Sequence, residues 1–162
     1  YWRGVVEINA YQKRRFAEGV IDSLYRNICG KRLAIFGFAF KEDTNDTRES
    51  PAIDICRLFL NERAQLAIFD PKVSKKQILA DLNVEEGDPR VEFCASPYEA
   101  AEKAHAIVLL TQWKEFKNLD YKKIKSAMAT PAWIFDGRNC LDHRLLGELG
   151  FLLRGIGKGN LS

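Results

Sequence analysis

Apolar side chains recur at Val5, Ile8, Phe16, Val20, Leu24 and Ile28, with Ile21 and Tyr25 alongside. Those intervals of three, four and eight mark one face of a helix. The pattern predicts a helix over about residues 5–28, closed by Cys29-Gly30, because glycine tolerates the left-handed conformation that ends helices. Beyond it, short apolar runs alternate with helical stretches: Leu33–Phe36, Leu66–Phe69, Val91–Phe93, Ala106–Leu110, Trp133–Phe135 and Phe151–Leu153. Three intervening helices open with clear punctuation. Ser50-Pro51 sets a capping hydroxyl before a proline suited to the first helical position. Ser74-Lys75-Lys76-Gln77 and Ser96-Pro97-Tyr98-Glu99 read as capping boxes. Weaker helical stretches follow Tyr121 and Asp142. Strand and helix alternating in this way predict a Rossmann-like three-layer α/β/α fold, its mostly parallel sheet of about six strands preceded by a helix.

Composition narrows the function classes. At 162 residues, 46% hydrophobic and 29% charged, the chain fits one globular domain with a substantial core. A formal net charge of +3 is too small to announce nucleic acid or membrane as a partner. The run Lys13-Arg14-Arg15 reads as a solvated helix face. Cys29, Cys56, Cys94 and Cys140 are irregularly spaced, with no pair suggesting zinc or a redox dithiol, so reduced thiols in a cytoplasmic protein are expected. The start, Tyr1-Trp2-Arg3-Gly4, reads as the interior of a longer chain. Neither Asn45-Asp46-Thr47 nor Asn160-Leu161-Ser162 carries weight as a glycosylation sequon without a secretory signal.

In an open doubly wound sheet, ligands bind beyond the C-terminal ends of the strands, near the switch in strand order. The first strand ends in Gly37-Phe38-Ala39-Phe40-Lys41, the second in Asp70-Pro71-Lys72, the fourth in Thr111-Gln112-Trp113 and the fifth in Asp136-Gly137-Arg138. With Rossmann order, Lys41 and Arg138 reach one rim from distant parts of the sequence. Two cations there favour an anionic ligand such as a nucleotide diphosphate. The competing reading makes them rim residues paired with Glu42, Asp43 or Asp136. A dinucleotide turn requires G-x-G-x-x-G, but Gly37 is followed by Ala39 and Glu42, so the NAD signature is absent. His105 and His143 read as structural or surface residues. Asp43-Thr44-Asn45-Asp46 reads as a polar loop ahead of a helix in preference to a divalent-ion site, and Asp70 as a poor phospho-acceptor.

The stretch from Gly37 to Pro51, GFAFKEDTNDTRESP, resembles the G-x-x-F-K…D-x-R-E-[SA] signature of nucleotide-sugar dehydrogenases, the UDP-glucose/GDP-mannose dehydrogenase family. Ile68-Phe69-Asp70-Pro71-Lys72-Val73 and Phe135-Asp136-Gly137-Arg138-Asn139 support it, and Tyr11–Phe16 resembles the closing turns of the family's long central helix. These details resemble the branch acting on UDP-glucose. The resemblance implies two-step, NAD-dependent oxidation of UDP-glucose to UDP-glucuronate. It implies residues 1–28 as the end of the dimerisation helix and 29–162 as a UDP-sugar-binding domain. Phe40, Lys41 and Arg138 would contact the substrate, and Arg48 would reach NAD across a cleft. The family's thioester-forming cysteine is expected in an N-terminal domain outside this chain, which alone is expected to be inactive. The expected partners are UDP-glucose, that N-terminal domain and further copies of the chain. A non-catalytic nucleotide-binding or assembly module of the same fold, or a dehydrogenase for another UDP- or GDP-sugar, is the alternative.

Overall fold

The computed structural model describes residues 2–155, with side chains from Ala10 onward. Helix α1 spans Trp2–Ser23, and six strands follow: β1 Arg32–Phe36, β2 Gln65–Phe69, β3 Val91–Phe93, β4 Ala106–Leu109, β5 Trp133–Asp136 and β6 Leu152–Gly155. Between them lie α2 Pro51–Asn61, α3 Lys75–Leu82, α4 Pro97–Ala101, α5 Tyr121–Ala127 and α6 His143–Glu148. All neighbouring strands pair in parallel, in the order β3-β2-β1-β4-β5-β6. This is the Rossmann order, with the switch between β1 and β4. Right-handed crossovers place α2 and α3 on one face and α4 and α5 on the other. Accordingly α2 packs against α1 and α3, and α4 against α5. No helix among the described residues is long and apolar enough to cross a membrane.

Burial on both faces explains the unbroken apolar strands. Leu33 to Phe36 and Ala106 to Leu109 are all completely buried. Ala17 and Val20 carry α1 into the same core, and Leu24 just beyond its end joins them. Arg154 of β6 secures that helix by donating to the Gly19 carbonyl at 3.3 Å and the Ser23 hydroxyl at 3.2 Å. Lys13 pairs with Asp54 of α2 at 2.9 Å, while Arg14 and Arg15 face solvent.

Local chemistry moves several boundaries. α1 stops at Ser23, short of the expected Gly30, because Tyr25 and Arg26 turn left-handed and Arg26 N–H caps the Ile21 carbonyl at 2.9 Å. Tyr25, expected beside the apolar face, is therefore 83% exposed. The side chains of Val5 and Ile8, and the sequon at Asn160, lie outside the described residues. Strand β6 begins at Leu152, since Phe151 N–H closes α6 on the Leu146 carbonyl. Ser96 caps its helix through the Glu99 N–H, while the Glu99 side chain reaches back one residue past the cap, to the Ala95 N–H at 3.0 Å. Only half of the Ser74 box forms: Gln77 N–H bonds to Ser74, but its side-chain amide turns to Asp81 at 2.9 Å.

Candidate functional site

The chain leaves β1 through a turn held by side chains from three directions. Gly37 has φ +94°, and an added Cβ would stand 2.6 Å from Thr111 Oγ1 and 2.8 Å from Thr111 N. Only glycine fits where β1 passes the end of β4. Asp70, just after β2, accepts from the N–H groups of Phe38 and Ala39 at 2.7 and 2.9 Å through Oδ2. The same oxygen takes the Trp113 indole N–H at 3.2 Å, and Oδ1 takes the N–H groups of Lys72 and Val73 at 2.8 and 2.9 Å. Thr111, fully buried, donates to the Ala39 carbonyl at 2.8 Å. Ser50 donates to the Phe38 carbonyl at 2.8 Å while capping α2 through Ala52 N–H. The turn is fully committed to the protein, and Phe40 and Lys41 emerge from it into solvent.

A second carboxylate shapes the loop after β5. Asp136 is completely buried. Its Oδ1 accepts from Arg138 N–H at 3.1 Å, and its Oδ2 from Leu141 N–H at 2.9 Å, with His143 Nε2 2.7 Å from Oδ2. Arg138 is thereby fixed by its backbone while its side chain is exposed.

The two predicted cations thus stand at the ends of β1 and β5, the strands on either side of β4. Neither forms an ion pair with Glu42, Asp43 or Asp136 among the described residues. They nevertheless share an electrostatic neighbour. Glu42 is held below the ordinary carboxylate range by its own backbone N–H and the Gln112 amide, with the charges of Arg138 and Lys41 adding to the effect. Phe40 keeps 43% of its surface exposed, an unusual state for phenylalanine. Arg48 stands apart from this group. It is exposed and clasps Asp46, with Nε 3.1 Å from Oδ1 and Nη2 2.9 Å from Oδ2. That clasp and the backbone N–H of Arg48 lower the Asp46 carboxyl to about 2. The Asp43–Asp46 stretch is the polar loop expected, with Thr44 taking the Asp46 N–H.

The sequence placed Asp70, Thr111, Trp113 and Asp136 at strand ends on this rim but did not show that they hold its turns, and it did not pair Asp136 with His143. The available signal was position: a carboxylate at the end of a buried strand faces several N–H groups of the turn that follows. Elsewhere, Glu92, Cys94 and Glu99 bring three ligand-type atoms within 4.8 Å of one another, but Arg32 already sits among them, paired with Glu92. Burial raises Cys94 and Cys140 to about 11 and pushes fully buried Cys56 further up, so these three thiols are poor nucleophiles.

Comparison with known proteins gives this rim a context. Residues 34–143 match the family model described as the UDP binding domain of the UDP-glucose/GDP-mannose dehydrogenase family. The chain is similar to UDP-glucose 6-dehydrogenase 4 of Arabidopsis thaliana, 44% identical over 98% of this chain and 36% of that protein. UDP-glucose 6-dehydrogenase of Drosophila melanogaster is 46% identical over 98% of this chain and 35% of its own length. The chain therefore spans about a third of these curated relatives. Among solved structures, the UDP-glucose dehydrogenase of Pyrobaculum islandicum shares the fold, with a TM-score of 0.75 at 23% identity over 97% of this chain and 32% of that one. The NDP-N-acetyl-D-galactosaminuronic acid dehydrogenase of Methanosarcina mazei Go1 gives 0.73 at 26% identity, over 93% and 29%.

Proposed function

The chain belongs to the UDP-glucose/GDP-mannose dehydrogenase family, and we propose that it is the part of such an enzyme that holds the UDP portion of UDP-glucose. One observation carries the reading: Lys41 and Arg138 stand exposed on either side of β4 at the switch in strand order, with no carboxylate paired to either among the described residues. An ionised diphosphate between them receives a mobile ammonium from one side and directional guanidinium donors from the other. Exposed Phe40 offers a flat apolar surface beside them. Binding energy gathered on the nucleotide, remote from the reacting carbon, then orients the sugar for oxidation.

The whole protein is proposed to oxidise the primary alcohol of the sugar to a carboxylate using NAD. The β1 turn of this domain does not fit that cofactor's pyrophosphate, since Asp70 already holds the Phe38 and Ala39 N–H groups. NAD is therefore assigned to the remainder of the protein, with Arg48 as the one contact offered from here. That contact requires Arg48 to leave Asp46. Helix α1, Trp2–Ser23, is assigned to the helix through which copies of the protein associate.

The test is titration of the chain with UDP, UDP-glucose, GDP-mannose and NAD⁺, followed by ¹⁵N–¹H spectra. UDP ligands are expected to shift Phe40, Lys41 and Arg138, and Lys41→Ala to weaken UDP about 10-fold or more, the scale of a lost charge-assisted hydrogen bond. Equal affinity in wild type and Lys41→Ala would remove Lys41 from the site. NADH formation from UDP-glucose by the full-length protein tests the reaction itself.

A further inference from the structure

Asp70 behaves in this fold as a ligand that the protein supplies to itself. Two consecutive N–H groups, those of Phe38 and Ala39, converge on one of its oxygens at 2.7 and 2.9 Å. Successive main-chain donors arranged this way form an anion-binding concavity, and the turn after the first strand is where Rossmann domains seat a phosphate. Here the anion is a side chain arriving from the neighbouring strand. Its second oxygen closes the turn after β2 through Lys72 and Val73, and the Trp113 indole joins it from the end of β4. One carboxylate therefore ties together the ends of β2, β1 and β4.

The electrostatics point the same way. No ion pair to Asp70 forms among the described residues, so its charge is met by four backbone N–H groups and an indole. Glu115, on the 3₁₀ turn Lys114–Asn118, has its carboxyl raised by burial and by the charge of Asp70. A phosphate entering the β1 turn meets negative charge in place of free donors. Lys41 follows this turn by two residues, so the direction in which it leaves depends on how Phe38 and Ala39 are held.

We propose that Asp70 is a positioning residue for substrate binding: its carboxylate fills the phosphate seat of the β1 turn, fixing the segment that presents Phe40 and Lys41 and closing that seat to a ligand phosphate. The part concerning Phe40 and Lys41 rests on the UDP-binding reading above; the occupied seat does not.

Asp70→Ala separates the two. In the chain carrying it, sodium formate or inorganic phosphate is expected to produce saturable shifts centred on the Phe38 and Ala39 amides, with neutral formamide producing none. UDP affinity is expected to fall about 10-fold and to recover in part as formate refills the seat. Unchanged UDP affinity overturns the positioning role. Loss of affinity with no formate binding at those amides and no recovery overturns it equally, because a merely structural defect gives that result. If wild type does not bind UDP, the UDP reading fails, while formate shifts at Phe38 and Ala39 still decide whether the seat exists. Should Asp70→Ala not fold, Asp70→Asn serves. It keeps one oxygen for Phe38 and Ala39 but turns an amide toward the N–H groups of Lys72 and Val73. Reduced UDP affinity is then expected, with larger amide-shift changes at residues 38–41 than in the strands. Wild-type affinity overturns the proposal.

Discussion

Gly37 leaves β1 at φ +94°, and any side chain there would drive into Thr111. Gly37→Ala adds left-handed strain to a clash with backbone and side chain at the end of β4. We expect a loss of roughly 2–4 kcal/mol in denaturant unfolding. A change within a few tenths of a kcal/mol would show that β1 and β4 separate easily at this point. Asp46 gives the residue-scale pH prediction. Its carboxyl is lowered to about 2, first by the Arg48 side chain and then by the Arg48 backbone N–H. A depressed acid contributes stability above its unfolded value near 3.9 and loses that contribution as pH falls through the folded value. The stability contributed by the Asp46–Arg48 clasp should therefore be whole at neutral pH and be lost as pH falls from about 4 to about 2, where the clasp itself opens. Carboxyl ¹³C shifts should titrate with a midpoint near 2 in wild type and nearer 4 in Arg48→Ala. Equal midpoints would mean that Arg48 does not hold the group.

The start of α2 shows how an element can serve two purposes. Ser50 is buried, caps the helix through Ala52 N–H and donates its proton to the Phe38 carbonyl. Ser50→Ala removes the cap and strands an acceptor inside the turn. The expected cost is about 2 kcal/mol, more than an exposed cap would show. Thermal melts of Ser50→Ala and of Ser74→Ala, whose cap is exposed, should separate by several degrees, and equal melting temperatures would refute the coupling. The helix starts at Ser50, Ser74 and Ser96 were legible because a cap is a local event written in three or four residues. The end of α1 was not. Its stop depends on Tyr25 and Arg26 adopting left-handed angles that a glycine would adopt more readily, so Gly30 drew the prediction away. The rim divides in the same way. The exposed positions of Lys41 and Arg138 beyond β1 and β5 were legible from the strand ends, whereas Asp70 gains its meaning only when the turn after β1 is seen beside it.

At the scale of the molecule, the sheet is graded from centre to edge. β1 and β4 are central and completely buried from Leu33 to Phe36 and from Ala106 to Leu109, while β3 and β6 form the borders. Native-state hydrogen exchange should find its slowest amides in β1 and β4 and faster ones in β3 and β6. Uniform protection across all six strands would contradict that grading. Sheet order was legible because a strand–helix alternation with right-handed crossovers leaves few topologies open. That order also governs how the protein is made. Of the six strands of this sheet, the first to be synthesised is destined for its middle: β2 can join one side of it promptly, but its other side is reserved for residues 106–109. Until those residues clear the exit tunnel, the nascent chain carries a long, apolar, unfilled flank. Its dependence on chaperones should be greatest in that interval, ending when β4 slots in beside β1.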